Sequence, residues 1–305
     1  MSSSLALLLA THNGSFFFES FLESVLSQTF PPTIFARDDG SSDNTPQILA
    51  LHANQLVLLN DSLGNVGVLE NFNILAKSTD APYLAFADQD DIWEADKLEV
   101  QMELMFRMEE QYGQEMPILI HSDLTVCDSR LRVVDSSLWR FQRLDPTVQS
   151  FSRLLVQNNI TGCTLLINKA LKDLAFPVPR DAVMHDWWLA LVASAVGKIG
   201  FVSRPLVRYR QHSTNQLGAV RSDLKGVFQR FCNTNPQNSL SAAQRQAHAF
   251  CDYFNAKKDM TDVLAVADAY ATIHAKTYIQ RLMSICKYGF WKQDLLRNIG
   301  LVLYI

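Results

Sequence analysis

The chain has 305 residues, 48% of them hydrophobic and 19% charged, with a formal net charge of -4. That is the composition of a globular protein long enough for one large domain and an extension, and its mild acidity gives no support for nucleic-acid binding. No apolar run approaches the roughly 20 residues of a membrane span, and five scattered cysteines without a CxxC pair indicate neither a zinc cluster nor a disulfide framework, which fits a reducing compartment.

The first 130 or so residues alternate apolar runs with helical periodicity. LALLLA (5–10) reads as a buried strand, and the N-terminus lacks the basic region of a signal peptide. Phe17, Phe18, Phe21, Leu22, Val25 and Leu26 then repeat at helical spacing. TIFARDDG (33–40) is a second strand ending in acids and a glycine, and a helix signal starts at Asp43 with Pro46 in its first turn. A third strand (56–60), a third helix (67–78), a fourth strand (83–88), a long helix (94–113) and a fifth strand (117–128) follow. Further on, 158–171 reads as loop, strand and helix start, 183–197 as a helix, and 198–212 as strands that become basic. From about 222 the pattern is helical.

Strand and helix in alternation predict an α/β fold, a mostly parallel sheet with helices on both faces. Ligands of such sheets bind beyond the carboxyl ends of the strands. Polar residues collect there from three segments: Thr11, His12 and Asn13 after the first strand, Asp38 and Asp39 at the end of the second, and Asp88, Asp90 and Asp91 after the fourth. Three carboxylates within four residues repel one another and resist desolvation. A divalent cation relieves both costs, because hard oxygen ligands crowd together around a positive ion. The alternative is a solvated turn whose acids cap helices, the role expected of Asp91 and Asp43.

ATHNG (10–14), QTFPPTIFARDDGSSDNT (28–45), GNVG (64–67), FADQDDIWEADKL (86–98) and HDWWL (185–189) together resemble the family 2 glycosyltransferases, which have a GT-A fold. The DQDDIW and RYRQH forms are especially similar to bacterial rhamnosyltransferase-like members that build surface polysaccharides such as O-antigen or capsule. The likeness spans roughly the first 215 residues, so the expected domains are 1–215 for the GT-A unit and 216–305 for a helical extension. It implies an inverting transfer from a nucleotide diphosphate sugar (dTDP-, UDP- or GDP-linked) to a hydroxyl of a glycan or lipid-linked acceptor.

The resemblance also assigns roles. Asp88-Gln89-Asp90 matches the DxD signature, whose acids share Mg²⁺ or Mn²⁺ with the donor diphosphate. Asp90 is the expected direct ligand, Asp88 lies nearer the ribose or metal, and His212 is a candidate third ligand. Asp39 matches the base-binding position. Asp38 supports the loop or touches the ribose, and Thr11 and Asn13 border the nucleotide. Gly67 belongs to the Gly-Asn-x-Gly loop, but the basic residue many relatives carry near Asn71 is missing. Arg210 is a candidate for the diphosphate. Asp186 matches the general base, with His185 where relatives have an acid; a helix N-terminus would depress its pKa. His185 orients acceptor or base, or is a surface histidine. Gly162 and Trp187 fall on the acceptor side. Cys163 reads as a small packed residue, and one of Trp187 and Trp188 as core, since neighbours on a helix diverge by about 100°.

Two rivals stay open. A nucleotidyltransferase also joins such a sheet to paired acids, although no Gly-rich, Lys-bearing phosphate loop follows the first strand. A scaffold that binds nucleotide sugar without turnover is the other. The last 30 residues mix Lys276, Arg281, Lys287, Lys292 and Arg297 with Tyr278, Tyr288, Phe290 and Trp291. Basic amphipathic helices of this kind suit an anionic membrane surface. The expected place is therefore cytoplasmic, with peripheral contact at the inner face of the plasma membrane.

Overall fold

A computed structural model describes residues 4–212, 236–257 and 260–305. The expected boundary at 215/216, the helical signal from 222 to 235 and Cys232 lie outside the described residues. Nine strands form one sheet: β1 (Leu5–Thr11), β2 (Thr33–Asp38), β3 (Leu56–Leu58), β4 (Tyr83–Ala87), β5 (Ile92–Trp93), β6 (Ile118–Cys127), β7 (Val133–Asp135), β8 (Leu166–Asn168) and β9 (Lys198–Arg210). The order across it is β3-β2-β1-β4-β8-β6-β9-β5, with β7 on β6. Strands β3, β2, β1, β4, β6 and β9 share one direction, and β8, β5 and β7 oppose them. The sheet is thus mostly parallel, as expected, with an antiparallel strand wedged between β4 and β6.

β1 shows why the first apolar run is a strand covered on both faces. Successive side chains point to opposite sides. Ala6 and Leu8 join one core while Leu5, Leu7 and Leu9 join the other. The helices are α1 (Phe18–Leu26), α2 (Thr45–Leu51), α3 (Val68–Lys77), α4 (Lys97–Tyr112), α5 (Leu138–Gln142), α6 (Phe151–Val156), α7 (Lys169–Ala175), α8 (His185–Val196), α9 (Pro236–Phe254), α10 (Thr261–Ala271), α11 (Tyr278–Tyr288) and α12 (Leu295–Tyr304). α1 lays Phe18, Phe21, Leu22 and Val25 on the core that holds Leu7 and Leu9. α3 and α8 cover the other face, α9 packs over α8 with Phe250 and Phe254 against Trp188, and α10 packs on α9 and α6. The helices after residue 236 therefore share a core with the sheet.

Two expectations are corrected. The long helix starts at Lys97, not 94, because Ile92 and Trp93 first pair with Arg208 and Val207 of β9. The stretch 198–212 holds one strand rather than several, accommodated by register shifts near Asp123 of β6 where Pro205 interrupts the ladder. The short helices α5 and α6 carry too few turns to show periodicity and were not expected.

Candidate active site

Thr11 pairs with Asp38, and Leu9 with Ala87, so the ends of β1, β2 and β4 are level. The three polar segments meet at one rim. Asp38 is spent on the loop: it accepts hydrogen bonds from Thr11 Oγ1 at 3.1 Å and from Ser41 Oγ at 2.6 Å and N at 2.9 Å. Asn13, with φ 49°, accepts from Ser42 N at 2.8 Å. Asp43 accepts from the N–H groups of Thr45 and Ser15, which holds its pKa down at about 2 and caps α2 from just outside it.

Asp39 is 5% exposed and accepts from Arg37 Nη1 (2.9 Å), Val66 N (2.8 Å) and Gly67 N (2.9 Å). Arg37, itself buried, also forks onto Asp61 and donates to Gly64 O. The Gly64–Gly67 loop, whose two glycines have φ 65° and 83°, is thereby bolted to the end of β2. Arg37 was legible only as an apolar-strand exception; nothing in the spacing shows that it ties Asp39 to Asp61. Asn71 is buried and reaches Arg37 O at 3.4 Å, so it stands in the wall.

At the end of β4, Gln89 clasps the first loop: His12 N donates to its Oε1 at 3.1 Å and its Nε2 donates to His12 O at 2.7 Å. The middle residue of the DxD triplet therefore sets the distance between the first and fourth strand ends. His212 Nε2 donates to Asp90 Oδ2 at 2.6 Å, and its ring stacks on Phe17 at 4.8 Å. Arg210 donates from Nε to Asp90 O at 2.8 Å and lies 4.5 Å from the Phe17 ring. The end of β9 and the two residues after it thus deliver both basic residues to Asp90, 120 and 122 positions away in sequence, with Phe17 as their platform. Phe17 itself was read as helical core.

Asp91 is corrected. It does not cap the following helix; it is fully buried, accepts the N–H of Arg210 at 3.0 Å, and holds a hydrogen bond with the Cys163 thiol. Burial and the neighbouring Asp90 and Asp88 push its pKa well up. Cys163 is packed, as expected, and burial raises its pKa too. Oxygens of Asp88 and Asp91 and the Cys163 Sγ lie within 4.8 Å of one another. That trio suits a hard cation poorly on its buried side, since a protonated thiol offers no charge. Of the expected ligands, Asp90 and His212 meet each other, while Asp88 groups instead with Asp91 and Cys163 among the described residues. Lys97 is fully buried, 3.7 Å from the Trp93 ring centroid and 2.9 Å from Gln101 Oε1. Burial drops its pKa to about 7.

Asp88 senses the charge of Asp186. Burial first, then Asp90, then Asp186 raise Asp88 to about 7. Asp186 opens α8 and accepts backbone N–H groups from Trp187 (2.5 Å) and Gly162. Its pKa was expected to fall at a helix N-terminus. Instead desolvation outweighs those hydrogen bonds and raises it to about 7. His185 is not a surface histidine: it is 3% exposed, between Phe72 (4.1 Å) and Phe86 (5.4 Å), and burial lowers its pKa to about 3. Gly162 sits against that ring in a 3₁₀ turn, with room for no side chain. Trp188 is the core member of its pair, and the half-buried Trp187 donates its indole N–H to Leu154 O at 2.6 Å.

A carboxyl raised to about 7, within electrostatic reach of a second raised acid, is a group that can exchange a proton near neutral pH. Comparison with known proteins identifies the family. The family model described as Glycosyl transferase family 2 matches residues 7–174. The chain is 29% identical over 228 residues to the dTDP-rhamnosyl transferase RfbG of Shigella flexneri, covering 69% of this chain and 74% of that protein. It is 30% identical over 203 residues to the UDP-Glc:alpha-D-GlcNAc-diphosphoundecaprenol beta-1,3-glucosyltransferase WfgD of Escherichia coli, covering 65% and 74%. Among solved structures it is similar to the mannosyltransferase PcManGT from Pyrobaculum calidifontis in complex with GDP-Man and Mn²⁺, with a TM-score of 0.55, 12% identity and coverage of 99% and 81%; this likeness concerns the fold.

Proposed function

This chain belongs to glycosyl transferase family 2 with a GT-A fold, and on that premise we propose that it is an inverting, metal-dependent enzyme. It moves a hexosyl or deoxyhexosyl unit from a nucleotide diphosphate sugar to a hydroxyl of a glycan or lipid-linked acceptor. The setting is the assembly of a bacterial surface polysaccharide at the inner face of the plasma membrane. The similarity to a dTDP-rhamnosyl transferase favours rhamnose as the sugar. The observation that carries the reading is Asp186 at the start of α8, its carboxylate held by the N–H groups of Trp187 and Gly162 and within electrostatic reach of Asp88 of the DxD triplet.

Asp88, Asp90 and His212 would hold Mg²⁺ or Mn²⁺, which supplies positive charge to a nucleoside diphosphate as it leaves. Asp186 takes the proton of the acceptor hydroxyl as the alcohol attacks the anomeric carbon opposite the leaving group. A single displacement needs one base and no covalent nucleophile. The Gly162 N–H fixes the Asp186 carboxylate, and the adjoining His185 is held between Phe72 and Phe86. Arg37 and the Gly64–Gly67 loop preorganise Asp39 toward the nucleotide base.

The test is thermal stability with UDP, dTDP, GDP and CMP, each with and without Mn²⁺. A ligand that binds only the native state raises apparent stability. One diphosphate should stabilise only with metal, and Asp90→Asn should remove that shift while keeping the unliganded melting temperature. No shift with any nucleotide at saturation, or an undiminished shift in Asp90→Asn, sinks the metal assignment. Release of pyrophosphate rather than a nucleoside diphosphate would move the chain to the nucleotidyltransferase class.

A further inference from the structure

The last two helices present an apolar face that the fold does not cover. Among the described residues, seven of the sixteen exposed large apolar side chains fall between Tyr278 and Tyr304. On α12, Leu295, Ile299 and Leu303 recur every fourth residue and are 75%, 50% and 68% exposed. On α11, Ile279 and Met283 do the same at 70% and 66%. Tyr278 donates to Val302 O at 3.3 Å and Arg281 to Ile305 O at 2.9 Å, so the start of α11 is tied to the end of α12. Their inner residues Ile285, Phe290 and Leu301 are buried in the main core. The stripes are the outer surface of a docked helix pair, and not a frayed end.

Charge selects the partner. Residues 276–305 carry five cations and one acid, on a chain whose formal net charge is -4. The acid, Asp294, is 9% exposed and caps α12, accepting from Leu296 N at 3.4 Å. Lys287 is exposed beside the Tyr288 ring, and Lys276 donates to Ser284 Oγ at 3.2 Å; neither of these contacts neutralises its lysine. An apolar stripe bordered by cations matches an anionic lipid surface, where apolar side chains enter the acyl boundary and lysines stay at headgroup level. A second copy of the same positive face would meet like charge.

The pair is also tied to the wall of the site. Gln293 N donates to Gln157 Oε1 at 3.0 Å, Arg153 to Lys292 O at 3.1 Å, and Arg297 to Gln142 O at 2.8 Å. The segment they hold contains α6, whose Leu154 O receives the indole of Trp187 beside Asp186, and it runs on to Gly162. No helix of the described residues is long and apolar enough to cross a membrane.

We propose that α11 and α12 seat this protein on an anionic lipid surface and hold the Asp186 side of its site against that surface, so that the acceptor is a lipid-borne hydroxyl compound. The proposal rests on the glycosyltransferase reading for the acceptor, and on the helices alone for the docking.

The experiment is co-sedimentation of the full chain with vesicles of phosphatidylcholine alone or with a quarter phosphatidylglycerol, at 20 and 500 mM NaCl, alongside Ile279→Glu/Leu303→Glu and Lys276→Gln/Lys287→Gln. Binding should require the anionic lipid and fall at least tenfold at high salt, since surface charges are screened within about 3 Å at 1 M and 10 Å at 0.1 M. Both double variants should lose at least tenfold in binding with unchanged melting temperature. Absence of sedimentation, equal binding to neutral vesicles, or undiminished binding by the folded variants overturns docking on anionic lipid. A dimer in lipid-free solution that the glutamate variant converts to monomer would assign the face to a second copy. Vesicle binding needs no nucleotide, so its failure leaves the transfer reading standing, and a missing nucleotide shift leaves the docking standing.

Discussion

At the scale of single residues, the site is governed by competition between burial and hydrogen bonding. Asp186 and Asp43 both accept backbone N–H groups, yet Asp43 is held down at about 2 while Asp186 is driven up to about 7, because its three N–H groups do not make up for the water it loses. The sign for stability follows. A carboxyl whose folded pKa exceeds its unfolded value near 3.9 binds more protons in the native state. Its contribution is present below about pH 4 and is lost as pH rises through about 7. Asp88 acts in the same direction. Without metal, the melting temperature should therefore decline between pH 4.5 and 7.5. Mn²⁺ should restore more of it at pH 7.5 than at pH 5, where protons compete for the ligands; an equal effect at both would show that these acids are not the site. As the base, Asp186 must be ionised, so kcat/KM should rise with pH toward a limb near 7, moved lower by bound cation. Asp186→Asn should keep the nucleotide shift and lose at least 10²-fold in turnover, on the order of general-base contributions. Turnover within a few-fold of wild type would remove Asp186 from that role.

At the scale of elements, short turns do most of the positioning. The 3₁₀ turn Gly162–Thr164 brings one N–H to Asp186 and packs its glycine on His185, where an added Cβ would sit 2.9 Å from Nε2. The ring is boxed by Phe72 and Phe86, so the turn would have to move instead. Gly162→Ala should cost about 1–3 kcal/mol in stability, the range of overpacked cores. A double-mutant cycle checks the cause: the loss should largely vanish in a His185→Ala background. Additive losses would place the strain elsewhere. β9 acts at the same scale, since its end carries Arg210, and His212 two residues beyond, to Asp90, while Val207 and Arg208 pin Ile92 and Trp93.

At the scale of the whole molecule, the helices after residue 236 complete the core over α8. Phe250 and Phe254 close on Trp188, and Phe151 meets Phe250 at 4.9 Å. Burying side chains of this size is worth about 1.5–3 kcal/mol each, a large share of the 5–15 kcal/mol that keeps a domain folded. A chain cut after residue 235 should be insoluble or melt at least 10 °C lower. A soluble, cooperative truncation with an unchanged nucleotide shift would show that the extension is an independent unit. The expected division at 215/216 would then hold energetically as well as in sequence.

The sequence by itself determined the alternating elements and the rim to which they bring polar groups, because strand and helix periodicity are local and an open parallel sheet places its ligands at the strand ends. It also contained the triplet, Asp39, Asp186 and the family resemblance, each carried by a contiguous motif. What only the tertiary structure decided are features made between distant segments. Asp91 reads locally as a cap, but becomes a buried acceptor once β9 closes over it. Phe17 reads as helical core, but becomes a platform for His212 and Arg210. Arg37 and Gln89 acquire their partners 24 and 77 positions away. The rise of Asp186 toward 7 follows the same rule: hydrogen bonding to adjacent N–H groups can be read from a motif, while the loss of water depends on everything that packs around it.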